Sequence, residues 1–299
     1  MKVGTKTRKK RIDNLEPKNC APIVRLKNKS VNSWSCFTPE ILIQLRDEYN
    51  KRYPDKILSN KPKTIWKSLQ KKMKKCKSEM CWLNRLASSN AQVRLKEILF
   101  SPEKPKSWNK DPNTWLTNFD IENVLNQYEE SHKNFDFIGP SFIDFNSQIG
   151  NSCVDPEICN FNLEKFIKKG KNKIGIVFNL DKHNQSGSHW VSLFIDVKNK
   201  FIFYFDSNGT DIPPEIKHLV DKIVEQGKKI NIDFKVHINS KEHQYSNTEC
   251  GMYSLYFIIT LLTEMIADQS KTIPQLLHFF KKQRISDKDV EQFRNIYYN

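Results

Sequence analysis

The sequence lacks an apolar run long enough to cross a membrane, which takes about 18 to 20 residues. The best candidate, residues 252–266, is shorter and includes Glu264. The basic N-terminus leads into no apolar segment, so we expect no secretory signal. These absences predict a chain that is neither secreted nor anchored by a membrane span.

A CxxC pair is also absent, although the chain has seven cysteines at positions 20, 36, 76, 81, 153, 159 and 250. Structural zinc sites usually need such pairs, so we expect no metal and no cofactor. The cysteine count is odd and no export signal is recognised, so the expectation is free thiols in a reducing compartment. Internal repeats are absent as well.

The charge of the chain is concentrated in its first third. Residues 1–110 carry 28 Lys or Arg and 9 Asp or Glu, a balance of +19, whereas residues 111–299 balance at −4. Hydrophobic residues make up 38 % of the chain, enough for a packed core. Affinity for anions is therefore expected only of the N-terminal part.

The pattern predicts three segments: a basic flexible tail (1–30), a basic helical domain (31–112) and a second domain (113–299). Thr38-Pro39 is typical of a capped helix start. A second helix is expected from Thr64 to Met80, with an apolar stripe at spacings of three and four, and a third over residues 91–100. The Pro- and Lys-rich residues 101–113 are interpreted as a linker.

The second domain alternates helices and strands, which indicates an α+β fold. Strands are predicted at 173–180 and 234–238, and a β-hairpin at 189–197 and 200–207. Helices are predicted at 115–128, 160–169 and 214–226. Residues 250–266 are apolar nearly all round, which is typical of a helix buried inside a domain.

Four residues stand where a cysteine nucleophile would need them. Cys250 opens the buried helix, where the positive end of the helix dipole favours a thiolate. His189 begins one hairpin strand and Asp206 ends the other, at nearly equal distances from the turn, so we expect them to meet. Gln244 can offer an N–H to a developing oxyanion, and Gly251 removes side-chain bulk beside the nucleophile.

Each of these residues also has an ordinary structural explanation. A buried cysteine at a helix start is often only packed, and an aspartate after a strand often belongs to a turn. His183 and His243 are alternative bases, but neither has the spacing that the hairpin requires. The conjunction of the four, rather than any one of them, predicts a catalytic site.

The same conjunction resembles the Ulp/SENP class of cysteine proteases, to which the adenovirus proteinase is related. The likeness lies in His189-Trp190, Asp206, Gln244 and Cys250-Gly251, together with the segment WLTNFDI at 115–121. It implies a papain-like α+β core, with a central sheet and a buried helix that carries the cysteine, in the order His, Asp, Cys. The basic helical N-terminal domain lies outside the resemblance.

The resemblance implies a role for each matching residue. Cys250 would be the nucleophile, His189 the general base and acid, Asp206 the residue that orients His189, and Gln244 an oxyanion donor. Trp115 and Trp190 match two tryptophans that close over a Gly-Gly backbone, and Asn118 stands where SUMO proteases carry a substrate-contacting aspartate. This last departure weakens a SUMO-specific function and leaves the catalytic assignment untouched.

The N-terminal domain and the segment FIGP at 137–140 favour the polyprotein-processing proteases of large cytoplasmic DNA viruses. Such an enzyme would cut structural precursors after Gly-Gly-Xaa during particle maturation, in the virion and the host cytoplasm. The alternatives are a protease that deconjugates SUMO or another ubiquitin-like protein, in the cytoplasm or nucleus, an acyltransferase with the same triad, and a polyanion-binding protein with an inactive protease fold.

Eight lysines between positions 61 and 77 suggest a surface for DNA or another polyanion. The candidates on the predicted helix are Lys67, Lys71, Lys72, Lys74 and Lys75. The alternative is a solvated basic helix whose apolar stripe packs on the protease domain. No motif of a sequence-specific nucleic-acid fold is present, so only non-specific binding is expected.

Overall fold

The computed structural model describes residues 20–28, 34–76 and 78–299. These residues divide into two compact units, one up to Phe100 and one from Ser101 to Asn299. Each unit has its own hydrophobic core. Among the described residues, no helix is long and apolar enough to span a bilayer.

The regular elements in the described part of the first unit are helices. Its helices are α1 (Pro22–Asn28), α2 (Pro39–Arg52), α3 (Pro62–Lys72), α4 (Glu79–Leu86) and α5 (Ser89–Leu99). The predicted start of α2 is confirmed, since the Thr38 hydroxyl accepts a hydrogen bond from the Ile41 N–H. The apolar stripe of α3, Ile65, Trp66 and Leu69, is buried in the core of this unit.

Two expectations about this region are corrected. The single helix predicted from Thr64 to Met80 is wrong, because α3 ends at Lys72 and the Ser78 side chain caps a new helix by accepting the Cys81 N–H. The linker predicted at 101–113 is also wrong. It belongs to the second unit, where Trp108 joins the core and Lys104 bonds the carbonyl of Asn299.

Most of the predicted basic tail, residues 1–19, 29 and 30, lies outside the described residues. In its described part, helix α1 follows a β-bridge between Cys20 and Phe100.

The second unit contains a five-stranded mixed sheet. Its helices are α6 (Asn118–Ser131), α7 (Pro156–Cys159), α8 (Leu163–Lys168), α9 (Pro214–Lys229), α10 (Cys250–Thr263), α11 (Ile273–Lys282), α12 (Asp287–Glu291) and α13 (Arg294–Tyr297), with a 3₁₀ turn at Lys106–Asn109. Its strands are β1 (Phe135–Phe142), β2 (Gln148–Ile149), β3 (Ser152–Cys153), β4 (Lys173–Asn179), β5 (Trp190–Asp196), β6 (Phe201–Phe205), β7 (Lys235–Ile238), β8 (Met265–Ile266) and β9 (Gln269–Ser270).

The central sheet has the order β1-β4-β5-β6-β7. Strands β4, β5 and β6 are antiparallel neighbours, while β1 and β7 run parallel to β4 and β6. Helices cover both faces, so β4, β5 and β6 are buried along their whole length. Phe194, Phe203 and Phe205 pack on the side of α10, and Ile176, Leu193 and Tyr204 on the side of α9.

This arrangement is the expected α+β fold with a buried helix that begins at Cys250. Thirteen residues of α10 are buried, as its apolar sequence predicts. The hairpin of β5 and β6 is present with its turn after Asp196. Strand β1 and the C-terminal helices α11 to α13 were not predicted.

The expectation of free thiols is wrong for six of the seven cysteines. Disulfides join Cys20 to Cys36, Cys76 to Cys81, and Cys153 to Cys159. The Cα separations of 5.3, 5.3 and 6.4 Å lie within the range that a disulfide spans. Among the described residues, Cys250 is left as the free cysteine.

Candidate active site

The hairpin brings His189 and Asp206 together. His189 directly precedes β5 and Asp206 directly follows β6, so both side chains leave the sheet at the same end. The imidazole Nε2–H donates to the Asp206 Oδ1 over 2.6 Å. The contact that the hairpin predicts is therefore present.

Asp206 is held in place by a dense set of hydrogen bonds. Its carboxylate also accepts the Asn208 N–H and the Thr210 hydroxyl. The Asn239 side chain accepts the Asp206 N–H and donates to the Asp206 carbonyl, at 2.9 and 2.7 Å. Burial alone would raise the pKa of Asp206, but bonds from His189 and Thr210 outweigh burial and lower it. The carboxylate therefore stays ionised and fixed.

The turn after Asp206 explains the glycine of the Asn208-Gly209 pair. Gly209 has a φ of +70°, and a Cβ there would lie 2.7 Å from the carbonyl carbon of Lys241. Only glycine accepts both this conformation and this close approach.

Cys250 is the first residue of α10, and it lies close enough to His189 to influence the charge of the imidazole. Because Asp206 occupies Nε2, the nitrogen left for the thiol is Nδ1. Burial would lower the pKa of His189, but hydrogen bonds and charge from Asp206 and Cys250 outweigh burial and raise it to about 9. The imidazole is therefore poised to remain protonated beside the sulfur at neutral pH.

Gln244 is buried and oriented by its neighbours. Its Oε1 accepts the Ser207 hydroxyl at 2.9 Å, and its Nε2 donates to the Ser246 carbonyl at 2.6 Å. The preceding residue, His243, has a carbonyl that accepts the hydroxyl of Tyr253, one turn along α10 from Cys250. One N–H of the Gln244 side-chain amide bonds Ser246, and the amide nitrogen carries a second N–H that can donate to a substrate oxygen.

The expected substrate-binding residues meet around Leu116. The Trp190 indole N–H donates to the Leu116 carbonyl at 3.0 Å, and Trp190 itself is buried. A Cβ on Gly251 would lie 3.1 Å from the Leu116 Cβ, so glycine lets this segment pack directly on α10. That packing, rather than open space for substrate, is the visible reason for Gly251.

Trp115 is 40 % exposed and directly precedes Leu116. Asn118 is the exposed first residue of α6, whose capping box pairs Thr117 with Asp120. Both residues therefore flank the segment that borders Cys250.

The alternative bases have structural roles. Burial lowers the pKa of His243 to about 4, and its ring bonds the Phe280 carbonyl and the Ile285 N–H. His183 pairs with Asp144 at 2.7 Å, in a contact separate from the His189 pair. Sequence reasoning missed Asn239 and also the buried pair of Glu249 and Arg294 (2.9 Å), because each contact joins residues far apart in the chain.

The candidate polyanion residues lie on or just after α3. Lys67, Lys71, Lys74 and Lys75 are exposed, whereas Lys72 pairs with Asp55 at 2.6 Å. Lys77, the last lysine of the run, lies outside the described residues. In the described part of the chain, no group of three His, Cys, Asp or Glu side chains forms a metal site.

Residues 160–299 match the profile described as the Ulp1 protease family, C-terminal catalytic domain. These residues are therefore similar to the catalytic domain of the Ulp1 proteases. The match contains His189, Asp206, Gln244 and Cys250, and the chain is a cysteine-type peptidase. Trp115 and Asn118 lie before the matched residues.

Relatives resemble the chain over both units. A putative thiol protease of Acanthamoeba polyphaga mimivirus is 28 % identical over 288 residues, which are 88 % of this chain and 89 % of the relative. A cysteine protease of African swine fever virus is 29 % identical over 260 residues, 79 % of this chain and 91 % of the relative.

The crystal structure of an African swine fever virus protease is similar in fold. It has a TM-score of 0.67 and 23 % identity, and the likeness covers 95 % of this chain and 96 % of that one. The α+β fold of the chain is therefore shared with a solved viral protease.

Proposed function

We propose that this Ulp1-family peptidase is an endopeptidase that cleaves viral structural polyprotein precursors after Gly-Gly-Xaa sites during virion maturation. The observation that carries the proposal is the Cys250–His189–Asp206 arrangement, with its buried carboxylate 2.6 Å from the imidazole. The viral origin of the relatives supports the processing role and a place of action in the host cytoplasm and the virion.

In the proposed reaction the Cys250 thiolate attacks the scissile carbonyl carbon, and the carbonyl oxygen becomes an oxyanion. The Cys250 backbone N–H and the second Gln244 N–H donate to that oxygen. Collapse of the tetrahedral intermediate breaks the C–N bond, and the His189 imidazolium protonates the leaving amine. Water, deprotonated by His189, then hydrolyses the thioester and releases Cys250.

The glycine preference rests on two indole rings near the sulfur. Trp190 is fixed by its bond to the Leu116 carbonyl, and Trp115 adjoins the same residue. Rings that contact both sides of an extended peptide exclude Cβ atoms, and only glycine lacks one. Replacing the second Gly of a Gly-Gly-Xaa peptide by Ala is therefore expected to reduce cleavage by at least about 100-fold, since the steric clash falls one residue before the reacting carbonyl and displaces it from the thiolate.

The proposal is tested by incubating the protein with candidate precursors from the source virus and sequencing the new N-termini. Cys250→Ala is the negative control, and Cys153→Ala, which alters a remote disulfide, is the matched cysteine control. New N-termini directly after Gly-Gly-Xaa support the proposal. Cleavage at unrelated sequences, or cleavage by Cys250→Ala, contradicts it.

A second candidate is removal of SUMO or another ubiquitin-like protein. An African swine fever virus relative is named a SUMO-1 cysteine protease, which favours this candidate. Asn118 argues against this candidate, since SUMO proteases carry a substrate-contacting aspartate at this position and asparagine lacks the carboxylate. Parallel cleavage of SUMO fusions, ubiquitin fusions and Gly-Gly-Xaa peptides separates the two, because deconjugation requires the folded modifier whereas precursor processing does not.

We also propose that the first unit binds DNA or another polyanion without sequence preference. Helix α3 buries its apolar stripe and leaves Lys67 and Lys71 exposed, with Lys74 and Lys75 exposed just beyond it. Binding through several phosphates releases counterions, so affinity falls steeply with salt.

Salt titration of DNA binding tests this second activity. Replacing the four exposed lysines by Gln should reduce the slope of log Kd against log salt by about 3 to 4, since each phosphate contact contributes about 0.9 for duplex DNA. A matched control replaces four exposed lysines of the second unit: Lys165, Lys169, Lys198 and Lys228. Equal slopes for the two variants contradict the proposal.

A further inference from the structure

A buried carboxylate directly precedes the nucleophile. Glu249 is the N-cap residue of α10, and its side chain makes no capping bond to the first turn of the helix. The carboxylate is 2 % exposed and points instead to Arg294 of α13. A second negative charge beside a thiolate would oppose its formation if it were not compensated.

Arg294 compensates that charge in two-pronged geometry. Its Nε–H and an Nη2–H donate to the two Glu249 oxygens at 3.0 and 2.9 Å. The guanidinium is 5 % exposed and lies over the Trp108 ring, 4.5 Å from its centroid. The two parallel hydrogen bonds between Arg294 and Glu249 are shielded from water, and such bidentate contacts are the strong ones that arginine forms with carboxylates.

The same guanidinium also reaches the segment that carries the substrate tryptophan. Its Nη1–H donates to the Thr114 carbonyl at 3.1 Å, one residue before Trp115. One side chain thus joins the residue before Cys250 to the residue before Trp115.

We propose that Arg294 is a positioning residue for the nucleophile: it neutralises the Glu249 carboxylate beside Cys250 and fixes the Trp115 segment relative to the first turn of α10. This inference rests on the proposed role of Cys250. It adds that the C-terminal helix α13 is part of what makes the thiol reactive near neutral pH.

The charged and titratable groups around the first turn of α10 are few. His189, backed by Asp206, approaches Cys250 from the sheet, and Glu249, at the N-cap of α10, is paired with Arg294 of α13. Further along the helix, Tyr253 bonds Asp287 at 3.4 Å, and Arg284 lies 3.8 Å from the same carboxylate. Neither Glu249 nor Arg294 is hydrogen-bonded to His189 or Asp206, so changes at the pair leave the His189–Asp206 contact in place.

The test is the pH dependence of Cys250 alkylation by iodoacetamide, read by peptide mass spectrometry in the full chain. Arg294→Gln should move the midpoint of the rate curve up by about one pH unit, a loss of about tenfold in rate at pH values below both midpoints, because it leaves Glu249 uncompensated. Glu249→Gln should move the midpoint down by a similar amount. The double variant, which removes both charges, should return it to the wild-type position.

Arg294→Lys keeps the positive charge, so its midpoint should lie close to that of the wild type. Lys288→Gln removes an exposed cation from the neighbouring helix α12 and is the matched control, expected to leave the midpoint unchanged. If Arg294→Gln does not fold, Glu249→Gln and the double variant still decide the question, since their midpoints must differ. Coincident midpoints for these two variants, or a double variant displaced as far as a single one, overturn the inference.

Alkylation reports on the thiol whether or not a peptide is cleaved. If the variants show the predicted shifts but the wild-type protein cleaves no substrate, only the proposed function is contradicted. A protein that cleaves Gly-Gly-Xaa peptides but shows no shifts contradicts the role of Arg294 alone.

Discussion

Asp206→Asn isolates the electrostatic part of the candidate site. The amide has the same shape as the carboxylate. Its oxygen can still accept hydrogen bonds from His189 and Asn208. Its NH₂ then faces the Thr210 hydroxyl, which can rotate to accept a hydrogen bond. The geometry is thus retained and one buried negative charge is lost.

The size of the effect follows from the pKa of His189. Asp206 and Cys250 hold that pKa at about 9 against burial, roughly 2.5 units above the ordinary 6.5, or about 3 kcal/mol in favour of the imidazolium. Without the carboxylate, burial is the largest remaining influence and the pKa of His189 falls. With a pKa near 6.5, the imidazolium fraction at about pH 7.5 drops from roughly 97 % to roughly 9 %.

The amide can also turn its NH₂ toward the imidazole, which favours the wrong tautomer and adds to the loss of the proton. In serine proteases with an equivalent aspartate, the same substitution lowers kcat by about 10⁴. We therefore expect kcat/KM for a Gly-Gly-Xaa peptide to fall by about 10³ to 10⁴ near neutral pH. The alkaline limb of the pH profile, which reports loss of the His189 proton, should move from about 9 toward 6.5 or below.

The assay is kcat/KM against pH with a quenched fluorescent peptide. Asp144→Asn is the matched control, since Asp144 holds His183 at 2.7 Å through a similar contact outside the site. Its profile should coincide with that of the wild type. An Asp206→Asn profile that keeps its alkaline limb near 9, or a loss below about tenfold, would refute the reasoning.

Four further outcomes are expected. Cys250→Ala should abolish cleavage and retain the wild-type circular dichroism spectrum, because one sulfur is removed without disturbing α10. His189→Ala should lose nearly as much activity. If its residual turnover exceeds that of Cys250→Ala by more than about 100-fold, His189 is not the general base. Gln244→Ala should lower kcat by about 10² to 10³ with little change in KM, whereas full activity would remove Gln244 from the site. Without reductant, iodoacetamide should modify Cys250 and leave Cys153 unmodified until a reductant is added, as mass spectrometry can show.

Local patterns in the sequence suffice for much of the site. The hairpin predicts that His189 and Asp206 meet, because residues equally far from the turn lie side by side on paired antiparallel strands. The continuous apolar run after Cys250 predicts a buried helix, and α10 is indeed buried in the core.

Non-local contacts account for what the sequence could not predict. The stripe from Thr64 to Met80 continues the helical period, yet the Ser78 cap divides it into two helices. Trp108 lies in a Pro- and Lys-rich stretch and is nevertheless buried against Tyr298, near the far end of the chain. Arg294 meets Glu249 across 45 residues, and no spacing rule anticipates such a pair.

Strand β1 and the disulfides show the same limit. Phe135–Phe142 contains Gly139 and Pro140, which favour a turn, but pairing with β4 on both sides of them, with a register shift between Ile138 and Ser141, keeps the segment in the sheet. Cysteine spacing cannot specify connectivity, so the bond between Cys20 and Cys36 follows only from the fold.

The most direct test of the account is labelling with a peptide that ends in Gly-Gly-Xaa and carries a C-terminal vinyl methyl ester. A nucleophilic thiolate adds to the vinyl carbon and keeps the whole probe as a thioether. The account predicts a single adduct on Cys250, formed near neutral pH and lost in His189→Ala. No adduct on Cys250, or one that forms equally fast without His189, would contradict it.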